Sequence, residues 1–481
     1  MSLSGPDRPG KLAIVLHTHM PYVEGGGQWP PAGNSPDWSN REGFGTWPFG
    51  EEWLWEAIAT CYLPLLDRVL GRVPLTLSLT PVLADQLEQP EAIERCLSFL
   101  EGIRPETHRR DAAELRTAGQ PELATEIERA AADYAWAATR LRDLGSGGLL
   151  TGLSAHASWT SAATHAVLPL LATDAGLEAQ IATGIAAHRR RAGSWAGGFW
   201  LPECAHAPWL DAPLEAAGVS ATCVELTRVF GLGDARHLRP LSTEDGPVLW
   251  PIDRAVMGLV WSQDGYPSRG SYRDYHGHTT FRLHAWSNDG TPYEPVAARA
   301  QAEADAADFV ARVLARVTAG GVCVCALDTE LLGHWWYEGV DWLAAVIDES
   351  ARQGLELVTL DAALDGAEPV PAPVALPITS WGEGGDLRTW SAPRVSELAF
   401  AARCAELRLA AADRPVAPRA ARELLALQSS DWAFLAYRGT AGEYPRERFL
   451  AHLSAFGPAL EGELEPELRG LAPDLVLGAW S

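Results

Sequence analysis

Polar clusters stand directly after three apolar runs of the sequence. His17 and His19 follow the first run in the motif HTHMP, Glu203 follows Phe-Trp-Leu-Pro, and Asp328 follows Val-Cys-Val-Cys-Ala-Leu. The carboxyl ends of the strands in a (β/α) barrel share one face, where active sites are assembled. We therefore expect the three clusters to converge on one site.

The two acids are of the kind that cleavage of a glycosidic bond requires. In the retaining mechanism, one carboxylate attacks the anomeric carbon, and a second, about 5 to 5.5 Å away, protonates the departing oxygen. Burial against Trp335 and Trp336, together with the charge of the other carboxylate, would raise the pKa of the proton donor. Glu203 and Asp328 are thus a candidate catalytic pair.

Other chemistry fits the same residue types. A carboxylate after an apolar run is often a helix N-cap or an ion-pair partner. The His-x-His pair could bind a metal, as in the barrel amidohydrolases, or supply two hydrogen-bonding imidazoles to a sugar subsite. A metal site would need histidines from other strand ends, for which the candidates are His206, His276, His278, His284 and His334. The spacing alone leaves both interpretations open.

The composition narrows the class of partner. The chain has 481 residues, of which 47% are apolar and 21% charged, as in a globular protein of two or three domains. The 62 Asp and Glu against 38 Lys and Arg give a formal charge of -24, which would repel nucleic acid and anionic lipid alike. The 20 Trp residues suggest flat surfaces on which sugar rings stack, although large cores also collect Trp. A neutral or cationic partner is favoured.

The sequence also predicts a cytoplasmic protein. The apolar run from Leu12 to Leu16 is too short for a signal-peptide core, and no segment approaches the roughly 20 apolar residues of a membrane span. The seven cysteines are odd in number and scattered, without a CxxC pair, which argues against a disulfide framework or a structural zinc site.

Strands and helices alternate along most of the chain. Lys11 to Leu16 and Val73 to Leu79 have the continuous apolar character of buried parallel strands, and the segment 51–70 between them has helical spacing. Repeated units of this kind favour a (β/α) barrel over an open doubly wound sheet. No Gly-rich loop follows the first strand, so a dinucleotide or Walker phosphate site is excluded there.

Two segments depart from this alternation. Residues 86–150 are charged and Ala-rich, which predicts a helical insertion in a barrel loop. Asp365 to Pro377 contains four prolines and predicts a connector, after which the composition favours helices. The predicted domains are a catalytic barrel over 1–365, including the insertion, and a helical domain over 366–481.

Several longer motifs resemble glycoside hydrolase family 57, most closely its α-1,4-glucan branching enzymes. The strings are HTHMPY, EEWLWEAI, ATHAVLPLL, GFWLPECA, LDTELLGHWWYEG and LLALQSSDWAF. The resemblance implies a (β/α)7 barrel with a helical insertion and a C-terminal α-helical domain. It further implies a retaining mechanism without a metal or other cofactor, and an α-glucan substrate.

The resemblance also assigns roles to individual residues. It implies that Glu203 is the nucleophile and Asp328 the general acid/base. Trp336, in the motif that contains Asp328, is taken as an additional substrate-binding residue. The other residues expected to bind substrate are His17, His19, His165, Trp261, Trp381, Trp390 and Asp431.

Two departures from the branching enzymes bear on the second step of the reaction. His206 replaces the Tyr that usually follows the ECA motif. The segments 227–261 and 275–292 look shorter, without a counterpart of the mobile loop whose Tyr is thought to exclude water. Exclusion of water separates transfer to a sugar from hydrolysis. We predict a branching enzyme, with an amylase-like α-glucan hydrolase as the alternative and a non-catalytic glucan-binding protein as a more distant one.

Overall fold

A computed structural model describes residues 10–23, 49–412, 415–468 and 470–480. The Trp-rich stretch from 28 to 47, whose composition fits either an acceptor site or a cover over the barrel mouth, lies outside these residues. Among the residues described, no helix combines the length and the apolar character that crossing a bilayer requires.

The strands are short and mostly buried. Their bounds are β1 Lys11–Thr18, β2 Thr76–Leu79, β3 Ala157–Ser161, β4 Phe199–Trp200, β5 Ala221–Val224, β6 Leu241–Ser242, β7 Val248–Pro251, β8 Val322–Asp328, β9 Glu356–Leu357 and β10 Val370–Pro371. In β1, Leu12 to Leu16 are at most 2% exposed, which explains why its sequence is apolar at every position rather than at alternate ones.

The helices flank these strands and dominate the last fifth of the chain. Their bounds are α1 Phe49–Ala57, α2 Leu63–Arg68, α3 Pro81–Leu87, α4 Pro90–Ser98, α5 Arg104–Thr117, α6 Pro121–Leu144, α7 Gly148–His156, α8 Asp174–Ala192, α9 Asp211–Ala216, α10 Thr227–Phe230, α11 Arg254–Met257, α12 Pro295–Arg316, α13 Gly339–Gln353, α14 Leu360–Asp365, α15 Arg388–Ser391, α16 Ser396–Ala410, α17 Pro418–Leu427, α18 Ser430–Arg438 and α19 Tyr444–Leu460. Short π-helical segments, Ile58–Tyr62 and Phe99–Ile103, join α1 to α2 and α4 to α5.

Seven of the strands form a closed, distorted ring. The first sheet has the parallel order β4-β3-β2-β1-β8, and in the second sheet β5 pairs in parallel with β7. A parallel bridge between Gly198 and Ala221 joins β4 to β5. The Asp253 N–H after β7 donates to the Val324 carbonyl of β8 at 2.8 Å, which closes the ring. The predicted α/β class with a seven-stranded barrel is confirmed.

The helical insertion and the Pro-rich segment, which interrupt the alternation of strands and helices, lie in different parts of the fold. Helices α3 to α7 fill the interval between β2 and β3, where the helical insertion was predicted. Within the Pro-rich segment, β10 pairs with β6 in the second sheet. The domain boundary at residue 365 remains a prediction, because this strand and the residues that follow it still contact the barrel.

Candidate active site

Glu203 lies in a strained turn directly after β4. The turn Pro202–Cys204 is a single 3₁₀ turn in which Glu203 has φ 61° and Cys204 φ 51°. Such a left-handed conformation costs about 1 kcal/mol or more for a residue other than Gly, so the surroundings must hold it. The Cys204 N–H donates to the Leu201 carbonyl at 2.8 Å, and the Trp381 N–H donates to the Glu203 carbonyl at 3.1 Å.

Both oxygens of the Glu203 carboxylate accept hydrogen bonds. The Trp381 indole N–H donates to Oε2 and the Ser430 hydroxyl to Oε1, each at 2.8 Å. Burial raises the pKa of Glu203, and the two hydrogen bonds counteract that rise because they stabilise the charged form. The side chain is therefore suited to act as an ionised nucleophile.

Asp328 ends β8 beside His17 on β1, with which it is in register. Burial and the nearby carboxylates of Glu330 and Glu203 raise the pKa of Asp328 well above its usual range. Within the described part of the chain, no side-chain hydrogen bond counteracts this rise by stabilising its charged form. Two carboxyl groups in such different environments match the division between nucleophile and proton donor.

A chain of hydrogen bonds leads from the barrel interior to Glu203. Burial lowers the pKa of His17 and His165 well below the usual value, so both imidazoles are neutral and each has one N–H. Since the Ser430 hydroxyl donates to Glu203, it accepts from Nδ1 of His165 at 2.8 Å. Nε2 of His165 then accepts from Nε2–H of His17 at 2.9 Å, and Nδ1 of His17 accepts from the Ser78 hydroxyl at 3.2 Å.

His19 connects the barrel to the C-terminal helices. Its Nε2 lies 3.0 Å and 3.1 Å from the two carboxylate oxygens of Asp431, and its ring stacks on His165 with centroids 3.9 Å apart. Burial disfavours the charged imidazole, but the Asp431 carboxylate and its hydrogen bond outweigh it, so the pKa of His19 is raised. The Ser429 hydroxyl donates to Asp431 and fixes the carboxylate.

His19, His165 and Asp431 also place potential metal-ligand atoms within 4.8 Å of one another. Each of these side chains is engaged within the protein. Both ring nitrogens of His165 have partners in His17 and Ser430, and Nε2 of His19 is bonded to Asp431. A metal ion would have to displace these hydrogen bonds, so the cluster is complete as a polar network.

Glu203 and Asp328 line one cleft of about 740 Å³. This volume is in the range of sites that bind drug-sized ligands, so it accommodates a short oligosaccharide. The sequence-predicted residues that line it are Glu203, Asp328, His19, His165, Trp261, Trp381, Trp390 and Asp431. Trp261 is 43% exposed and presents a broad face, whereas Trp390 is 2% exposed and contributes only an edge.

Two predicted substrate-binding residues do not line the cleft. Trp336 is buried, with its ring against Tyr272 and Trp342 at centroid distances of 5.3 Å and 5.2 Å. Trp335 lines the cleft in place of Trp336, because successive side chains of an extended segment point to opposite sides. His17 is 1% exposed and acts on the site only through His165.

Sequence reasoning missed Ser430 and did not single out Glu330. Ser430 precedes Asp431 in the motif QSSDW, but a serine in a helix N-terminal turn is ordinarily a structural residue. Glu330 lines the cleft, and its Oε1 accepts from the Tyr62 hydroxyl at 2.6 Å and from the His19 N–H at 3.0 Å. Burial raises the pKa of Glu330 to about 7. Its position two residues after Asp328 was the available signal.

His206, where the sequence departs from the branching enzymes, is fully buried. Its backbone exchanges two hydrogen bonds of 2.9 Å with Thr379, and its Nε2 lies 2.8 Å from the Asp211 carboxylate. These contacts hold the strand end that carries Glu203 to the segment that carries Trp381. The replacement therefore affects the support of Glu203 rather than the lining of the cleft.

Comparisons with known proteins agree with this geometry. The model of a family described as glycosyl hydrolase family 57 matches residues 159–374, and one described as the C-terminal part of 1,4-alpha-glucan branching enzyme matches 396–465. A probable 1,4-alpha-glucan branching enzyme of Mycobacterium tuberculosis is 33% identical over 535 aligned positions, which cover 99% of this chain and 97% of that protein.

Two further relatives come from archaea. The 1,4-alpha-glucan branching enzyme of Thermococcus kodakarensis is 31% identical, with 93% of this chain and 73% of that protein covered. The crystal structure of a GH57-type branching enzyme from Pyrococcus horikoshii matches with a TM-score of 0.83 at 28% identity, covering 98% of this chain and 96% of that one.

Proposed function

The chain belongs to glycoside hydrolase family 57, and from this membership we propose that it is a 1,4-alpha-glucan branching enzyme. The observation that carries the proposal is the pair of half-buried acids in one Trp-lined cleft. Glu203 is stabilised as a carboxylate by two donors, and the pKa of Asp328 is raised by burial and like charges.

In the first step, Glu203 attacks the anomeric carbon of an α-1,4-linked glucose. The bond from this carbon to the glycosidic oxygen breaks, and Asp328 gives its proton to that oxygen. The leaving chain departs with a free 4-hydroxyl group, and the donor chain remains bound to Glu203 as an ester. Asp328 is then ionised.

In the second step, Asp328 acts as a base. It removes the proton from a 6-hydroxyl group of an acceptor glucan, whose oxygen attacks the anomeric carbon and releases Glu203. Two inversions at the same carbon give an α-1,6 linkage with retained configuration. Water in place of the acceptor would give hydrolysis.

The remaining cleft residues have supporting roles in this proposal. His165 and Ser430 orient Glu203, and the His19 and Asp431 pair offers polar atoms to the hydroxyl groups of the sugar beside it. Trp261 and Trp381 provide apolar surface for sugar rings, and Trp390 adds an edge to the wall of the cleft.

The test is to incubate the purified protein with amylose and to count reducing ends before and after enzymatic debranching. If the protein is a branching enzyme, few new reducing ends should appear before debranching and many after it, because each transfer creates a branch without a net gain of reducing ends. Reducing ends that appear at once, with none added by debranching, would contradict branching and identify the α-glucan hydrolase.

Glu203→Gln separates an enzyme from a glucan-binding protein. We expect its turnover to fall on the order of a thousandfold or more, because Gln cannot form the glycosyl ester. Glu106→Gln, at an exposed position of α5, is the matched control and should keep wild-type turnover. Equal turnover in the Glu203→Gln variant would contradict the assigned nucleophile.

We further propose that the reaction belongs to cytoplasmic synthesis of a glycogen-like storage glucan. All seven cysteines are unpaired thiols and six of them are buried, which suits a reducing compartment. Cell fractionation, with glucan extraction from cells that lack the protein, tests this: the protein should be in the cytoplasmic fraction and the remaining glucan should carry fewer branches.

A further inference from the structure

A second cavity, of about 110 Å³, opens beside the catalytic cleft and shares the Trp335 indole with it as a common wall. Four parts of the chain enclose this second cavity. They are the helical segment 56–60, the helical insertion, through Arg104 and Tyr134, the irregular segment 273–284, and the loop 333–337 that follows Asp328. Its volume is closer to that of one sugar residue than to that of a chain.

Aromatic rings lead from the catalytic cleft toward the second cavity. Trp261 lies 6.2 Å from Trp335, and Trp335 lies 5.9 Å from His334, measured between ring centroids. Farther on, Tyr275 stacks on His284 at 5.6 Å with an interplanar angle of 17°. Tyr275 is 39% exposed, so part of its side chain is open to a ligand.

The charges that line the second cavity cancel. Three carboxylates, those of Glu56, Asp133 and Asp274, stand against three guanidinium groups, those of Arg104, Arg273 and Arg282. Arg104 is paired with Glu56, and Arg273 is paired with Glu126. A cavity without net charge favours a neutral ligand over an anion.

Two imidazoles of the second cavity, those of His284 and His334, are uncharged as well. Burial lowers the pKa of His284 to about 4 and that of His334 to about 3. Nδ1–H of His284 donates to the Gly277 carbonyl at 2.9 Å, which leaves Nε2 as an acceptor for a hydroxyl group. Aromatic faces with neutral acceptors and paired charges at the rim suit a polyhydroxylated ring.

The side of the cleft on which the second cavity lies decides which glucan it holds. Asp328 protonates the leaving chain and later deprotonates the acceptor, so both chains occupy the side of the cleft that Asp328 serves. The loop after Asp328 forms the wall of the second cavity through Gly333, His334 and Trp335. We infer that the second cavity binds a glucose unit of the acceptor α-glucan, with Tyr275 as its stacking platform and His284 as a hydrogen-bond acceptor.

This inference rests on the proposed branching function, so the test measures acceptor use and binding separately. A maltooligosaccharide labelled at its reducing end serves as the acceptor, with amylose as the donor, and the labelled α-1,6 product is quantified. For Tyr275→Ala we expect the KM of the acceptor to rise about tenfold, because a lost stacking contact is worth about one order of magnitude. Tyr275→Phe keeps the ring and should keep the wild-type KM.

Matched variants exclude general effects. Trp136→Ala removes an aromatic side chain that is also 39% exposed, on α6 outside the second cavity, and should leave the KM unchanged. His284→Ala should raise the KM in the same direction as Tyr275→Ala. An acceptor KM within twofold of wild type in both of these cavity variants would overturn the inference and leave the branching function standing.

A binding measurement keeps the second cavity testable if branching itself fails. Maltohexaose is titrated into Glu203→Gln protein with and without Tyr275→Ala, and the dissociation constant should rise about tenfold with the second change. A wild-type protein that only hydrolyses amylose would contradict the proposed function, whereas unchanged maltohexaose binding would contradict a sugar site at Tyr275.

Discussion

Glu203 and Asp328 differ in what surrounds each carboxyl group, and this difference supports the roles proposed for them. Trp381 and Ser430 donate to both oxygens of Glu203, which favours its charged form. Asp328 has the carboxylates of Glu330, Glu203 and Asp431 nearby, which favour its neutral form. A nucleophile must be ionised and a proton donor must be protonated at the same pH. The two environments satisfy both demands.

Glu330 is expected to set the alkaline limit of activity. Its negative charge raises the pKa of Asp328, and since the pKa of Glu330 is itself about 7, the charge is present on the alkaline side. Glu330→Gln removes the charge, so the pKa of Asp328 should fall and the alkaline limb of kcat/KM should move to lower pH, on the order of one unit. A pH profile from 4 to 10 checks this; an alkaline limb that stays in place or rises contradicts it.

Activity should be independent of added metal. The ligand atoms of His19, His165 and Asp431 are occupied by hydrogen bonds among themselves and with His17 and Ser430. Dialysis against a chelator should therefore leave the branching rate on amylose unchanged. A loss that zinc restores would favour the metal-dependent amidohydrolase interpretation of the His-x-His motif.

At the scale of elements, the loop between β8 and α13 supports both the acid and the wall of the second cavity. Gly333 has φ 98°, and a Cβ at this position would overlap the Thr60 carbonyl oxygen. Because glycine has no Cβ, the loop can pass close to the helical segment after α1. Tyr62 in the same segment donates to Glu330. The helical layer thus fixes the loop that directly follows Asp328.

The helical insertion is tied to the barrel by a buried ion pair. Arg104 at the start of α5 pairs with Glu52 and Glu56 of α1, and its side chain is 3% exposed. Arg104→Met leaves these carboxylates without their cation, so the free energy of unfolding should fall by about 3 to 5 kcal/mol. Urea unfolding followed by circular dichroism measures it. In Arg116→Met, which breaks an exposed pair with Glu128, the loss should stay below about 1 kcal/mol; equal losses would contradict the argument.

At the scale of the whole molecule, the C-terminal helices complete the active site. The Ser430 N–H donates to the His165 carbonyl at 3.1 Å, and the Thr164 hydroxyl donates to the Leu425 carbonyl. One apolar cluster contains both Tyr22, which follows β1, and Leu425 of α17. The barrel and the helices therefore share core residues as well as the hydrogen bonds that orient Glu203.

Because of this shared core, unfolding should be a single cooperative transition. Heating the whole chain should reduce the circular dichroism signal, the Trp fluorescence signal and the residual activity with the same midpoint. Two transitions, with the C-terminal helices melting before the barrel, would show that the shared core and the hydrogen bond from Ser430 to His165 do not couple the two parts.

The sequence by itself identified the parts whose signal is local. Continuous apolar runs predicted buried strands, and the polar residues after them predicted where Glu203, Asp328 and His19 would meet, because the ends of parallel barrel strands share one face. The Ala-rich segments predicted helices because helical spacing of apolar residues is visible in the local sequence, whatever the helix later packs against.

The tertiary structure alone decided the features that depend on contacts between distant segments. Ser430 is 227 residues from Glu203 in the chain, yet it donates to its carboxylate. Trp335 rather than Trp336 faces the cleft, and His17 lies behind His165. The second cavity exists only where four separate segments meet. Residue types limit which contacts are possible, but the packing of whole elements determines which side chain reaches a given point.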